Sequence, residues 1–168
     1  MGQFWVVEQD PLTGDNGIEA DNWETNYTAT PFSEPILANY TLIGADDGSA
    51  NHGIRLRHGT KGKLYNGIIA GFTQGLRVGS ECNAYAADGS LLVKNSAIFN
   101  NATAYNNADI FANDPSNSTE AVALSGYLGS DPNGAMDPSS LNSWFSTAIF
   151  KGAVESGNDW TIGWTRQL

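Results

Sequence analysis

Asn16-Gly17-Ile18-Glu19-Ala20, His52-Gly53-Ile54-Arg55-Leu56 and Gln74-Gly75-Leu76-Arg77-Val78 spell one phrase three times: a polar residue, glycine, then apolar, charged, apolar. A second phrase interleaves with it at Leu37–Gly44, Leu64–Gly71 and Val93–Asn100, each with asparagine as its third residue. Alternation with a period of two reads as a strand with two unlike faces. Two strand phrases that alternate down a chain mean a coil repeated and stacked, the signature of a β-solenoid. Gly53 and Gly75 are 22 residues apart, and Asn39, Asn66 and Asn95 are 27 and 29 apart. These spacings fit a coil of roughly 20–30 residues, with length differences placed in loops on one face.

Composition agrees with a mostly β chain. The 168 residues suit one domain with a real core, only 15% are charged, and 19 are glycine. Short β-branched and aromatic runs sit between Gly, Asn and Asp clusters, and no long amphipathic helical run occurs. Strands are expected at 3–8, 17–21, 36–43, 53–57, 63–70, 75–79 and 91–99, with an Asn/Thr/Pro-rich excursion at 22–35. The repeat fades after about residue 101. The reading is therefore coils over 1–104 and a capping region of the same domain over 105–168, with a short helix starting at Asp137-Pro138 and with Trp160 and Trp164 sealing it.

Charge narrows the partners. Eight Lys and Arg against 18 Asp and Glu give a net charge of −10, which excludes nucleic-acid binding through phosphate neutralisation. Cys82 is the only cysteine, so no disulfide forms within the chain. No apolar run is long enough for a membrane helix. Met1-Gly2-Gln3-Phe4-Trp5 lacks the basic start and apolar stretch of a signal peptide and reads as the beginning of a strand. The expectation is a native upstream part, holding further coils and the export signal. The N-terminal open edge would then pair with that upstream part or with another protomer.

Asp15–Asn22, the Leu42-Ile43-Gly44-Ala45-Asp46-Asp47-Gly48 loop and the closing Asp159-Trp160-Thr161-Ile162-Gly163-Trp164-Thr165 resemble segments of exported bacterial proteins of pectate-lyase-like architecture. The resemblance covers essentially the whole chain, as the C-terminal part of such a protein. It implies an all-β, right-handed parallel β-helix and a secreted or cell-surface location. It carries over no catalytic residue.

In stacked parallel strands the alternation sets Ile18, Ile54 and Leu76 in one inward column and Ala20, Leu56 and Val78 in the next. Glu19, Arg55 and Arg77 then form an outward row, with Asp21 beside Arg57. At about 4.8 Å between strands, Glu19–Arg55 and Asp21–Arg57 are candidate ion pairs, and Asn16, His52 and Gln74 stack in front of them. Exposed pairs contribute only about 0–1 kcal/mol each, so the row is first of all a solvated surface. As a site, its arginines suit uronate carboxylates, with Trp23, Tyr27 or Tyr40 as stacking platforms. Glu19 and Asp21 lie about 6.5–7 Å apart by strand rise, inside the roughly 5–10 Å that a glycosidase pair requires. The arginines opposite them oppose a role as proton donor.

Asn39, Asn66 and Asn95 read as an inward ladder of stacked amides. Asp46, Asp47, Asp131 and Asp137 are hard-oxygen candidates for calcium, but no complete calcium loop surrounds them, and Asp and Asn at such places serve turns. No other cofactor is implied. The sequence thus points to a non-catalytic structural or carbohydrate-binding protein with polysaccharide as partner. The competing reading is a polysaccharide lyase or glycoside hydrolase working on Glu19, Asp21, Arg55 and Arg57.

Overall fold

The alternating phrases fold as the alternating strands of two parallel sheets. The computed structural model describes residues 1–13, 15–106, 110–163 and 165. In chain order the strands are β1 (Gly2–Glu8), β2 (Ile18–Asp21), β3 (Ile36–Ile43), β4 (His52–Arg57), β5 (Lys63–Ala70), β6 (Gln74–Val78), β7 (Leu92–Lys94), β8 (Ala97–Ile98), β9 (Thr103–Tyr105), β10 (Gly129–Asp131) and β11 (Lys151–Val154). The first sheet runs β1-β3-β5-β7, with β8 also on β5, and the second runs β2-β4-β6-β9. Among the strands of the described residues, β10 and β11 alone pair antiparallel. One short helix, α1 (Asn83–Ala87), lies between β6 and β7. The helix start expected at Asp137 is a 3-10 turn over Pro138–Ser140, capped by the Asp137 carboxylate, which accepts from the Ser139 N–H.

The register of the second sheet aligns Ile18, Ile54 and Leu76, and Ala20, Leu56 and Val78. These side chains meet Leu37, Tyr40, Leu42, Leu64, Ile69, Val93 and Ile98 of the first sheet in one core. Burying each of the fully enclosed Leu and Ile side chains contributes about 1.5–3 kcal/mol. The repeat glycine lets the sheets approach this closely. A Cβ on Gly53 would lie 2.2 Å from Ile69 Cγ2 and 2.6 Å from the Gly75 carbonyl oxygen.

A corner divides each strand of the first sheet. Phe4, Asn39, Asn66 and Asn95 all have left-handed backbone, with φ of 59°, 54°, 56° and 56°. Asparagine tolerates this conformation better than most residues. The corner shifts the in–out alternation by one residue, so two neighbours face the same way. Ala38 packs outward against Phe145, the Asn39 amide also points outward, and Tyr40 turns into the core. Two sequence expectations fail for this one reason. Tyr40 is fully buried and is no stacking platform; its ring lies over Gly67 and its hydroxyl reaches Ser96 Oγ at 3.3 Å. Burial raises the Tyr40 hydroxyl far above the usual phenol range.

The asparagines, likewise, do not form an inward ladder. Asn39 Nδ2 donates to the carbonyls of Ala148 (3.2 Å) and Phe150 (2.6 Å). Asn66 donates to Met136 O (2.7 Å) and accepts from Met136 N (3.0 Å), and Asn95 donates to Gly134 O (2.8 Å). These bonds moor the C-terminal segment along the outer face of the first sheet. Ala153 N–H adds a bond to Thr41 Oγ1, and Gln3 and Ser146 exchange two. A shorter stretch lies on the edge of the last coil, where Ser118 bonds Ser96 and Ile98 and Phe111 enters the core. Trp160 donates its indole N–H to Ala153 O; Trp164 lies outside the described residues.

Candidate functional site

On the outer face of the second sheet the strands place Glu19 beside Arg55, Arg55 beside Arg77, and Asp21 beside Arg57. Both pairs expected from the register are present, Asp21–Arg57 closely and Glu19–Arg55 loosely, and a third, Arg57–Glu19, is added across the strands. Arg57 takes both carboxylates, donating to Glu19 Oε1 and, through Nε, to Asp21 Oδ1 at 2.8 Å. That hydrogen bond to Asp21 holds the Arg57 guanidinium above its usual range. Arg55 stands 3.9 Å from Glu19 Oε2, an oxygen that already accepts from the Asn16 amide at 2.5 Å. Arg77 is exposed and has no ion pair among the described residues. The row is therefore charge-separated: carboxylates at β2, two incompletely matched guanidinium groups on β4 and β6.

A groove of about 370 Å³ follows these arginines, lined by Arg55, Arg57, His58, Arg77, Glu81 and Asn106. Glu81, in the lining, accepts the backbone N–H of His58 at 2.8 Å. His58 itself stacks flat on Tyr27, with ring centroids 5.6 Å apart. Its Nδ1 is buried without a hydrogen bond, 3.6 Å from Asp21 Oδ2. At the other end of the row His52 Nδ1 meets Asn16 Oδ1 at 2.8 Å. Burial first, then the charges of Arg55 and Arg77, hold His52 below the usual histidine range. Both influences favour the uncharged imidazole, and the arginines supply positive charge on this strand and the next.

Residues 1–165 match the family described as pectate-lyase like beta helix domain. The chain belongs to this family. No curated protein and no solved structure matches it significantly. Within this β-helix domain the structure brings together Glu19, Asp21, Arg55, Arg57 and Arg77. Trp23 is exposed on the 22–35 excursion, two residues beyond Asp21, and is not among the residues lining the groove. That excursion is pinned by the Asn22 amide, which donates to Tyr27 O and Ala29 O, and by Lys61, whose ammonium sits 3.6 Å above the Phe32 ring. His58, Glu81 and Asn106 were not among the candidate site residues from sequence. Each follows the end of its strand or closes the next coil, where a side chain's facing depends on a turn and not on period-two alternation.

Three of the four candidate calcium ligands have their carboxylates engaged in local bonds. Asp47 accepts the N–H and hydroxyl of Ser49, and Asp137 caps the 3-10 turn. Asp131 takes Lys151 Nζ at 3.2 Å and the Asn133 backbone and side chain. Asp46 has left-handed backbone, with its N–H on Gly71 O. Among the described residues no three His, Cys, Asp or Glu side chains form a metal-holding group. No helix among them is long and apolar enough to cross a membrane.

Proposed function

We propose that this domain is an exported polysaccharide-binding module that grips acidic sugar units along the second sheet, with Arg55 and Arg77 as the carboxylate-binding pair and without turnover. The observation that carries this reading is the adjacency of Arg55 and Arg77 in register on β4 and β6, both lining one groove, while Arg57 makes the short bonds to the neighbouring carboxylates and Arg55 stands 3.9 Å from Glu19. Guanidinium forks match carboxylates bidentately and keep their charge at every physiological pH. The overall charge of −10 does not defeat this, because charges beyond about 8 Å are largely screened at physiological salt while contacts in the groove are not. Glu19 and Asp21 are clamped by Arg57, which supports binding over acid catalysis on this face. The winding is read as right-handed, the hand that parallel crossovers almost always take.

Arg77→Ala is expected to weaken oligogalacturonate binding about tenfold or more, the equivalent of one charge-assisted hydrogen bond, and Arg55→Ala by a similar factor. Calorimetric titration at low and high salt checks it, and the wild-type affinity should fall as salt rises. Wild-type affinity retained by both variants, or product release from the oligosaccharide by the wild type, would sink the reading.

A further inference from the structure

The C-terminal segment encloses a second cavity against the outer face of the first sheet, opposite the arginine row. It has a volume of about 350 Å³ and is lined by Phe4, Thr147, Phe150, Glu155, Asn158 and Trp160. That size falls within the range of small-molecule sites, which are mainly apolar with a few placed polar groups.

Phe4 is the unexpected member. It occupies the left-handed corner that the later coils give to Asn39, Asn66 and Asn95, a conformation that penalises bulky side chains. The mooring bonds that those asparagines make are supplied here by the neighbouring Gln3, which bonds both Asn39 and Ser146. Phe4 is thus not required to hold the segment by hydrogen bonds. Its ring stacks on Phe150, with centroids 6.4 Å apart and planes 25° apart, and forms one wall of the cavity. Trp160 is fixed beside it by the indole bond to Ala153 O at 2.9 Å. Glu155 and Asn158 are exposed at the rim, and neither side chain has a hydrogen bond or ion pair among the described residues.

We propose that this cleft binds a neutral pyranose unit. Aromatic faces take the C–H face of a sugar ring, and the Glu155 carboxylate and Asn158 amide offer acceptors and donors to its hydroxyls. The single charge in the lining is negative, so a uronate would be repelled and a neutral ring admitted. The site is independent of the arginine groove in position and in charge.

The test is a titration of isotope-labelled protein with maltose, cellobiose, mannobiose and digalacturonate, following the Trp160 indole N–H by NMR. At least one neutral disaccharide should shift that signal. Phe4→Asn restores the residue used at the other corners, so its melting temperature should equal or exceed the wild type's while binding weakens roughly tenfold. Arg77→Ala should leave this binding unchanged, which separates it from the uronate reading. The proposal is overturned if no neutral disaccharide moves the indole signal, if Phe4→Asn binds as tightly as wild type, or if digalacturonate shifts the signal as strongly as a neutral sugar.

Discussion

Gly53→Ala is expected to destabilise the domain by about 3 kcal/mol or more, the upper range for overpacking a well-filled core. The added methyl would meet Ile69 Cγ2 at 2.2 Å and the Gly75 carbonyl at 2.6 Å. Neither can yield cheaply. Ile69 is β-branched and stiff at χ1, and the carbonyl belongs to the backbone of the adjacent coil. Relief requires moving one sheet away from the other, which loosens Ile54, Leu56 and Leu76 packed between them. Gly48→Ala is the control. Gly48 has φ of +80° and open space around it, so its substitution carries only the conformational cost of about 1–2 kcal/mol. Urea denaturation of both variants separates the steric from the conformational contribution. If Gly53→Ala proves no costlier than Gly48→Ala, the repeat glycine does not mark the close approach of the sheets.

The same glycine shows why the fold was legible in the sequence. β3 and β5 have the bounds expected from their β-branched and aromatic runs, and the Gly-Ile/Leu phrases align in the predicted register because one-residue slips would expose Ile54 and Leu56. The stretch 91–99 was less legible. It reads as one strand and is two, β7 and β8, because Asn95 interrupts it with left-handed backbone. Alternation assumes that every residue is extended, so one left-handed residue per strand reversed the facing of Asn39 and Tyr40. At the site, the outward row of Glu19, Arg55 and Arg77 follows from alternation alone. The pairs Asp21–Arg57 and Glu19–Arg55 follow from register as well, but the closer contact of Glu19 does not, because the Arg57 side chain is long enough to reach diagonally across the strands to Glu19 as well as Asp21. The mooring of the C-terminal segment was invisible for another reason: β10 and β11 are three and four residues long and pair with each other outside the repeat.

Asn66→Ala is expected to cost about 2–5 kcal/mol and to release the C-terminal segment. Two separate losses add. Alanine at φ of 56° loses about 1–2 kcal/mol relative to a residue at home there. Removing the fully buried amide also strands the Met136 N–H, which donates to Asn66 Oδ1 at 3.0 Å, and the Met136 carbonyl, which accepts from Nδ2 at 2.7 Å. Each of these part-buried bonds contributes about 0.5–1.5 kcal/mol when made. Asn66→Gly distinguishes the two losses, since glycine adopts the left-handed corner freely but cannot moor the segment. It should be more stable than Asn66→Ala by about 1 kcal/mol and still well below wild type. Thermal melts give the order of the three proteins, and limited proteolysis should cut within 129–155 in both variants before it does so in wild type. An alanine variant within 1 kcal/mol of wild type, or a glycine variant no better than alanine, would show that Asn66 neither relieves the corner nor holds the segment. The consequence reaches the second cavity: Phe150, Glu155 and Trp160 all belong to the moored segment, so loosening at Asn66 should weaken sugar binding there without altering Arg55 and Arg77 on the opposite face.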